Sequence, residues 1–568
     1  MFDEKGKSTA EGFRFDFAFF LMGACMQKVK NPPTEVGTLK KGVLLLTVAN
    51  LLVKVLGFVY KVPLNHLLGD EMASVNAATA LFAVLYTAST AGIPGALSLS
   101  VSRARAVGDG KRIKRIFDAT LALLLGVGLF LSLLIAFLAR PLSLLQSDSA
   151  GFLCTLAIAP ALFFTAATSV LRGFFQGFSN LIPTAVSELL EALGKAVFGV
   201  LLATLAVTVF GRSASSAAAL AVFGITLGIM LGTLSLTLRY RREGRRLLSS
   251  VPVSGGKDIR AGAALRAVVL LSLPITLSAA LMSTGSFIDA QMMRPLLERV
   301  LGDAALAKSL YSDYSTGALT LYNLPAVLVM PLSTALIPYI SGAIASGREQ
   351  RARRVTETAL KLSSLISLPA ALGLSVLSGP ILSFVFRSDT DMAENAGPLL
   401  SVLAFCVFFS ALLSVSSAAL QAFKREKVPM LSLGVGVLVK LLTISPLVLR
   451  FGAVGVPLST LLFFAVSATV NLVALCRTAS LRPRVWDALL RPSLCALLSA
   501  LSAHFTHRGL LPHLGADGAL LLAILLAVLV YFSALLLLRA VGREELSMLP
   551  FVGKYFQNRE NQGRKASL

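Results

Sequence analysis

Charge is scarce in this chain. Asp, Glu, Lys and Arg make up 14% of 568 residues, against 55% hydrophobic ones, where a soluble domain carries about 25% charged residues. That balance excludes a water-soluble globule. Cysteine is sparse too: Cys25, Cys154, Cys406, Cys476 and Cys495 lie far apart with no C-x-x-C pair, so neither a disulfide framework nor a zinc site follows. His504, His507 and His513 lack nearby carboxylates or thiols to complete a metal site. No G-x-x-x-x-G-K-[ST] loop occurs, which excludes an ATPase of that type. No metal and no cofactor is implied.

What the chain has in quantity is apolar sequence. Runs of about twenty residues, each able to cross a hydrocarbon core about 30 Å thick, recur from Gly42 to near Arg539. In lipid the backbone must be satisfied within each segment, so the runs are helices. The expected fold is an all-α polytopic membrane protein of about fourteen transmembrane helices, arranged as two six-helix lobes around a central cleft plus two C-terminal helices. The expected units are an N-terminal cytoplasmic extension (1–39), a first lobe (40–246), a basic linker (247–262), a second lobe (263–480), a helix pair (481–542) and a tail (543–568). Phe17 to Met26 is apolar but too short to span. Residues 1–39 read either as a disordered or surface-lying extension or as the product of a start placed too far upstream.

The net charge of +23 would suggest nucleic acid in a soluble protein, but its placement points elsewhere. Arg103 to Arg115 holds six basic residues, Arg239 to Arg246 five and Arg348 to Arg354 four, with Lys424, Arg425 and Lys427 forming another cluster. The intervening loops carry isolated ones such as Arg140, Arg212 and Arg508. This is the positive-inside pattern, and it places both termini and the basic loops in the cytoplasm. Membrane lipids with anionic headgroups are the partners of that charge, and no nucleic acid is expected.

The two halves echo each other. Gln176, Pro183 and Lys195 correspond to Gln421, Pro429 and Lys440, with nineteen residues from Gln to Lys each time and an offset of 245. The stretch from Gly92-Ile93-Pro94 through Ser102 to Gly108 and a basic run is answered by Pro331, Ser333, Pro338, Ser341 and Gly347, again before a basic run. An even number of spans per half gives both copies the same orientation, related by an axis along the membrane normal, with a cleft between them.

Ionisable residues at membrane depth are costly, about 2.5–3.5 kcal/mol on insertion scales, and so mark function or a necessary pair. Asn50, Lys54, Lys61 and Asn65 are spaced by four, seven and four, which puts them on one helical stripe. Lys54 is too deep to reach the interface, whereas Lys61 and Asn65 either line the cleft or snorkel outward. Glu188, Glu191 and Lys195 share a second stripe, and Glu191 and Lys195 can pair at i, i+4. Lys440 has Gly436 one turn before it instead of an acid, so it reads as an unpaired lysine facing an anion or water. Asp289 and Asp313 either neutralise a lysine or hold a coupling cation, Na+ or H+. Asp389-Thr390-Asp391 has the D-x-D form of metal-dependent glycosyltransferases, but it sits in a short loop assigned outside.

The run Asn50-x-x-x-Lys54-x-x-Gly57-Phe58-x-Tyr60-Lys61-x-Pro63-Leu64, then Leu68-Gly69 and Gly92-Ile93-Pro94-x-Ala96-x-Ser98, resembles the start of the stage V sporulation protein B family. These are polysaccharide-biosynthesis-type members of the multidrug/oligosaccharidyl-lipid/polysaccharide exporter superfamily, related to the lipid II flippase. Leu324-Pro325 through Pro331-x-Ser333 to Ile337-Pro338-x-x-Ser341 fits the same group. The chain departs from the family pattern where Leu99, not lysine, follows Ser98, and where residues around Glu71 to Val75 replace glycines. The resemblance implies a fourteen-helix fold and a flippase, not an enzyme, for an undecaprenyl-pyrophosphate-linked glycan. Lys54 occupies the family's first-helix lysine position.

The expected function is alternating access without covalent chemistry. Lys54, Asn50, Lys61, Lys195 and Lys440 are the candidate substrate contacts, and Glu188, Glu191, Asp289 and Asp313 the charge partners or ion-coupling groups. The rivals are a multidrug/cation antiporter of the same superfamily, which would want carboxylates in its cleft, and a membrane glycan-modifying enzyme, which would need large outer loops or a convergent His/Asp site.

Overall fold

A computed structural model describes Ala49, residues 52–53, 55–57 and 60–538, except 91, 107, 146–150, 179, 252–260, 346, 387–389 and 482–488. Asn50, Lys54, Asp389, the expected extension and tail, and most of the linker lie outside the described residues.

The described residues form helices joined by tight turns. In the first half these are α1 (Lys61–Leu68), α2 (Met72–Thr90), α3 (Ile93–Ala106), α4 (Gly110–Leu145), α5 (Gly151–Ile158), α6 (Ala161–Gly177), α7 (Ile182–Thr208), α8 (Ala214–Arg239) and α9 (Arg245–Ser249). The second half adds α10 (Ala261–Leu301), α11 (Ala304–Asp313), α12 (Leu319–Ala345), α13 (Glu349–Val376), α14 (Ser378–Val385), α15 (Thr390–Leu403), α16 (Phe405–Ala422), α17 (Lys427–Phe451) and α18 (Gly455–Ala479), before the terminal α19 (Arg491–Leu537). Among the described residues nine stretches are long and apolar enough to cross a membrane. Two of them hold a pair of crossings each, because α17 and α18 turn at Gly452 and α19 breaks at Gly515. The α2–α3 and α11–α12 units lie between these stretches, and the first expected helix is described as a helix of eight residues from Lys61 onward.

Proline placement explains several breaks. Pro160 precedes α6 as its N-cap, and Pro183 lies in the first turn of α7, where its missing N–H costs nothing. Large apolar side chains such as Phe137, Leu442 and Leu536 are 76–81% exposed on the outside of the bundle. A continuous apolar exterior of this kind is a lipid-facing surface.

The core divides largely by half, with Ala73 and Ala77 of α2 joining the cluster of the second half. Leu64, Cys154, Ala203 and Val222 belong to one cluster of the first half, with Leu97, Phe117, Val170 and Phe174 in another. In the second half Tyr314, Leu400, Val415, Phe463 and Leu475 share a single large cluster. The terminal α19 packs on α13 through Cys495, Ala534 and Tyr531, whose hydroxyl donates to the Leu365 carbonyl at 2.5 Å.

The internal repeat shows in the turns. Gly108 and Gly347 both take positive φ (74° and 69°), a conformation in which a Cβ would be strained. Both turns also make the same hydrogen bonds: Gly108 N to Arg105 O with Asp109 N to Ala104 O, and Gly347 N to Ile344 O with Arg348 N to Ala343 O.

Within the first lobe, α7 and α8 are in backbone contact. A Cβ at Gly228 would lie 2.6 Å from Glu191 O and Lys195 N, and one at Gly224 would lie 2.3 Å from Gly199 N. The spacing Gly224-x-x-x-Gly228-x-x-x-Gly232 is the small-residue pattern that lets membrane helices approach closely.

Candidate functional site

The polar residues gather in three places: the seam between the lobes, the middle of the second lobe, and a cavity in the first.

At the seam, α1 and α2 meet α11, α12 and the turn between those two. Lys61 Nζ donates to the Ser315 carbonyl (3.2 Å) and to Thr320 Oγ1 (2.9 Å), and Asn76 Nδ2 donates to Thr316 Oγ1 (2.7 Å). Glu71 pairs with Lys308 at 2.7 Å and accepts from Ser215 Oγ at 3.1 Å. Lys61 therefore does not snorkel; it crosses to the other lobe. Ser315, which accepts from Lys61, and Thr316, which accepts from Asn76, lie in a π-helical turn, Tyr314–Ala318. Asn65, expected on the same stripe, is buried.

In the second lobe Lys440, on α17, is fully buried and forms an ion pair with Asp289 of α10 at 2.8 Å. Thr460 accepts from Lys440 Nζ at 2.9 Å, and Asp289 Oδ2 accepts from Tyr314 (3.2 Å) and lies 3.4 Å from Thr460 Oγ1. The expectation that Lys440 is unpaired and open to the cleft is thus corrected. Its acid stands on another helix, 151 residues earlier in the chain, and a buried ammonium requires such a partner. Of the two roles expected for Asp289, the geometry is that of neutralising a lysine. Asp313 is also buried and accepts from Asn395 Nδ2 at 2.8 Å.

In the first lobe the expected Glu191–Lys195 pair is corrected as well. Glu191 Oε1 binds Arg172 Nη2 at 2.7 Å, because α6 brings a guanidinium, which donates in a fixed planar fork, against that face of α7. Arg172 also donates from Nε to Ser187 Oγ (3.0 Å), lies 3.8 Å from Glu188 Oε1 and hydrogen-bonds Tyr86. Gly232 makes room for this arrangement, since a Cβ there would lie 2.5 Å from Glu191 Cγ. Lys195 instead sits over the Tyr60 ring at 4.3 Å, a cation–π contact. Among the described residues neither Lys195 nor Lys61 forms an ion pair with a carboxylate.

Beside Arg172 is a partly open cavity of about 360 Å³, lined by Tyr86, Pro94, Gly95, Ser169, Arg172, Gln176 and Glu188. That volume is within the range of about 300–1,000 Å³ usual for ligand sites.

The sequence matches the family described as "Polysaccharide biosynthesis protein" over residues 39–344, more than half of the chain. The chain belongs to the polysaccharide biosynthesis protein family. A second family, MatE, matches over residues 274–444, within the second lobe. Among relatives, the lipid II flippase MurJ of Bacillus subtilis (strain 168) is 25% identical over 463 residues, covering 78% of this chain and 83% of that protein. Stage V sporulation protein B of the same organism is 26% identical over 537 residues, covering 91% and 98% respectively. A solved structure, "Lipid II flippase MurJ, inward closed conformation", superposes with a TM-score of 0.65 over 87% of this chain and 99% of that one, at 16% identity, which shows a shared fold. This member of the polysaccharide biosynthesis protein family is a multi-pass helical membrane protein.

Arg172 is the residue that sequence reasoning missed. It lies inside the apolar run of α6, and a lone arginine at that depth is itself the signal that acidic partners stand nearby.

Proposed function

We propose that this protein flips an undecaprenyl-pyrophosphate-linked glycan across the bacterial cytoplasmic membrane by alternating access of its two lobes. The observation that carries the reading is the Lys61–Lys195 pair. Neither lysine is paired with a carboxylate among the described residues, Lys61 resting on two oxygen acceptors and Lys195 on the Tyr60 ring, and a pyrophosphate would supply a countercharge. On the stripe read from the sequence, Lys54 and Asn50 come about two and three turns before Lys61, and they are proposed as further contacts of the same substrate. Lys440, closed into its pair with Asp289, holds the second lobe together in this state and enters contact with substrate only if that pair opens. The similarity to MurJ and to stage V sporulation protein B supports the substrate class.

With both termini cytoplasmic, the seam made by Lys61, Asn76 and Glu71–Lys308 lies on the outer side and the cavity beside Arg172 on the inner half. The protein is then closed outward and receives its headgroup from the cytoplasm. The lobes span 40–246 and 263–480, and the final pair of helices, 481–542, offers a flank for the lipid tail. The reading asks for no covalent step, so membrane potential or an ion gradient drives the cycle, with Glu188, Glu191 and Asp313 as the groups open to coupling by Na+ or H+. One observation favours export of cationic drugs instead: a carboxylate, Glu188, lines the cavity.

Complementation of a strain depleted of its lipid II flippase tests the reading. Rescue is expected from the wild type and is expected to fall at least tenfold in plating efficiency with Lys61→Ala, Lys195→Ala or Lys54→Ala. Rescue by all three variants removes the lysines from the mechanism. Failure of the wild type to rescue, with efflux of a cationic dye from the same cells, decides for the antiporter.

A further inference from the structure

The cavity beside Arg172 and the lysine pair differ in charge, and we propose that they divide the headgroup between them: the lysines take the pyrophosphate, and the cavity takes the uncharged, hydroxyl-bearing glycan, with Glu188 excluding acidic sugars. The proposal rests on the flippase reading above and deepens it by assigning specificity.

Three observations carry it. First, the guanidinium in the cavity wall is already engaged. Arg172 binds Glu191 at 2.7 Å and Ser187 at 3.0 Å and faces Glu188 at 3.8 Å, so one cation stands between two carboxylates. The wall is polar without a free positive charge, and an incoming anion meets net repulsion there. Secondly, Glu188 makes no hydrogen bond among the described residues. The 3.8 Å contact to Arg172 is too long for one, and its Oε2 is buried with no partner among the described residues. Such an oxygen is satisfied by an O–H or N–H donor from a bound molecule or water. Thirdly, the remaining wall suits a neutral polyhydroxyl ligand. The Gln176 amide makes only a 3.4 Å contact to Thr184, leaving donor and acceptor capacity, and Ser169 donates to the Thr165 carbonyl, leaving its oxygen to accept. Carboxylate, amide and hydroxyl groups around a volume of about 360 Å³ match sugar hydroxyls and N-acetyl groups, and they mismatch a uronic acid.

The test uses the full-length protein in nanodiscs, titrated with three probes: undecaprenyl pyrophosphate, the same carrier bearing a neutral N-acetylated disaccharide, and the carrier bearing a disaccharide with one uronic acid. In the wild type the neutral glycan is expected to tighten binding over the bare carrier by about tenfold, the worth of one hydrogen bond to a charged group, while the acidic glycan adds nothing. In Glu188→Leu and Gln176→Ala the ratio of neutral-glycan to bare-carrier affinity falls towards one. Glu188→Gln, which keeps the side chain's size and removes its charge, admits the acidic glycan. Lys61→Ala and Lys195→Ala weaken all three probes alike. If the bare carrier fails to bind the wild type, the flippase reading itself fails. If the carrier binds but neutral and acidic glycans bind equally well, or Glu188→Leu keeps the neutral-glycan increment, the division of the headgroup is overturned. If Glu188→Gln still rejects the acidic glycan, Glu188 is not the excluding group and the proposal falls.

Discussion

Replacing Lys440 by methionine removes an ammonium and leaves a stem of similar length in the same apolar surroundings. The consequence is worked from Asp289. In the wild type its carboxylate faces Lys440 at 2.8 Å, Tyr314 at 3.2 Å and Thr460 at 3.4 Å. Thr460 Oγ1 also lies 3.2 Å from the Val456 carbonyl and has one proton to give. After the substitution the buried carboxylate keeps the tyrosine donor and competes for the threonine. An uncompensated buried charge costs about 3–5 kcal/mol, against about 0.5–1.5 kcal/mol for the net loss of an ordinary hydrogen bond. Lys440→Met is therefore expected to destabilise by about 3–5 kcal/mol. Lys440→Met with Asp289→Asn removes both charges and is expected to return to within about 1–2 kcal/mol of the wild type, since replacing a whole buried pair is often neutral. The assay is a double-mutant cycle on the purified protein, unfolded by denaturant in mixed micelles. A single variant within about 1 kcal/mol of the wild type, or a double variant equal to the sum of the singles, refutes the ion pair as the force that holds α10 to α17.

Other perturbations follow from the same geometry. Arg172→Gln strands two carboxylates and is expected to destabilise the first lobe by about 3–5 kcal/mol; Glu191→Gln in the same chain is expected to recover a large part of it, read as the monodisperse fraction after heating. Gly228→Val puts side-chain atoms into the backbone of α7, and overpacking of this kind costs about 1–3 kcal/mol or more, measured as lost folded yield in the membrane fraction. Cysteines at positions 71 and 308, where an ion pair between two long side chains now spans the lobes, are expected to be joined by a reducible bifunctional thiol reagent and to stop complementation, with recovery on reduction. A cross-linked protein that still complements would mean that the lobes need not part there.

The helices and their order were legible because apolar length is a strong signal: fourteen crossings in a six, six and two arrangement follow from composition and loop charge. The repeat was legible through Gly108 and Gly347, whose common turn is a backbone requirement that glycine meets. Pairing was much less so. Glu191 and Lys195 satisfy the one-turn rule on α7, yet Arg172 takes Glu191 from a neighbouring helix. Local spacing says which side chains share a face and leaves open what that face meets. Lys440 read as a lysine open to the cleft because Asp289 was beyond local reasoning: their contact depends on how α10 and α17 pack. The acceptors of Lys61 were likewise beyond local reasoning, because they belong to the opposite lobe.

The π-helical turn Tyr314–Ala318 touches both systems at once: Tyr314 reaches inward to Asp289, while Ser315 and Thr316 receive Lys61 and Asn76 from the other lobe. Such a turn holds one residue more than its α-helical equivalent, and at 3.6 residues per turn that extra unit sets the phase of everything after it by about 100°. Shortening it by one residue would index α12 around its axis, carrying Ser333 away from Ser414, its neighbour at 2.9 Å on α16. A single wide turn thus fixes the rotational setting of a 27-residue helix, and parting the lobes at the seam pulls on the same backbone that positions the tyrosine over the buried pair.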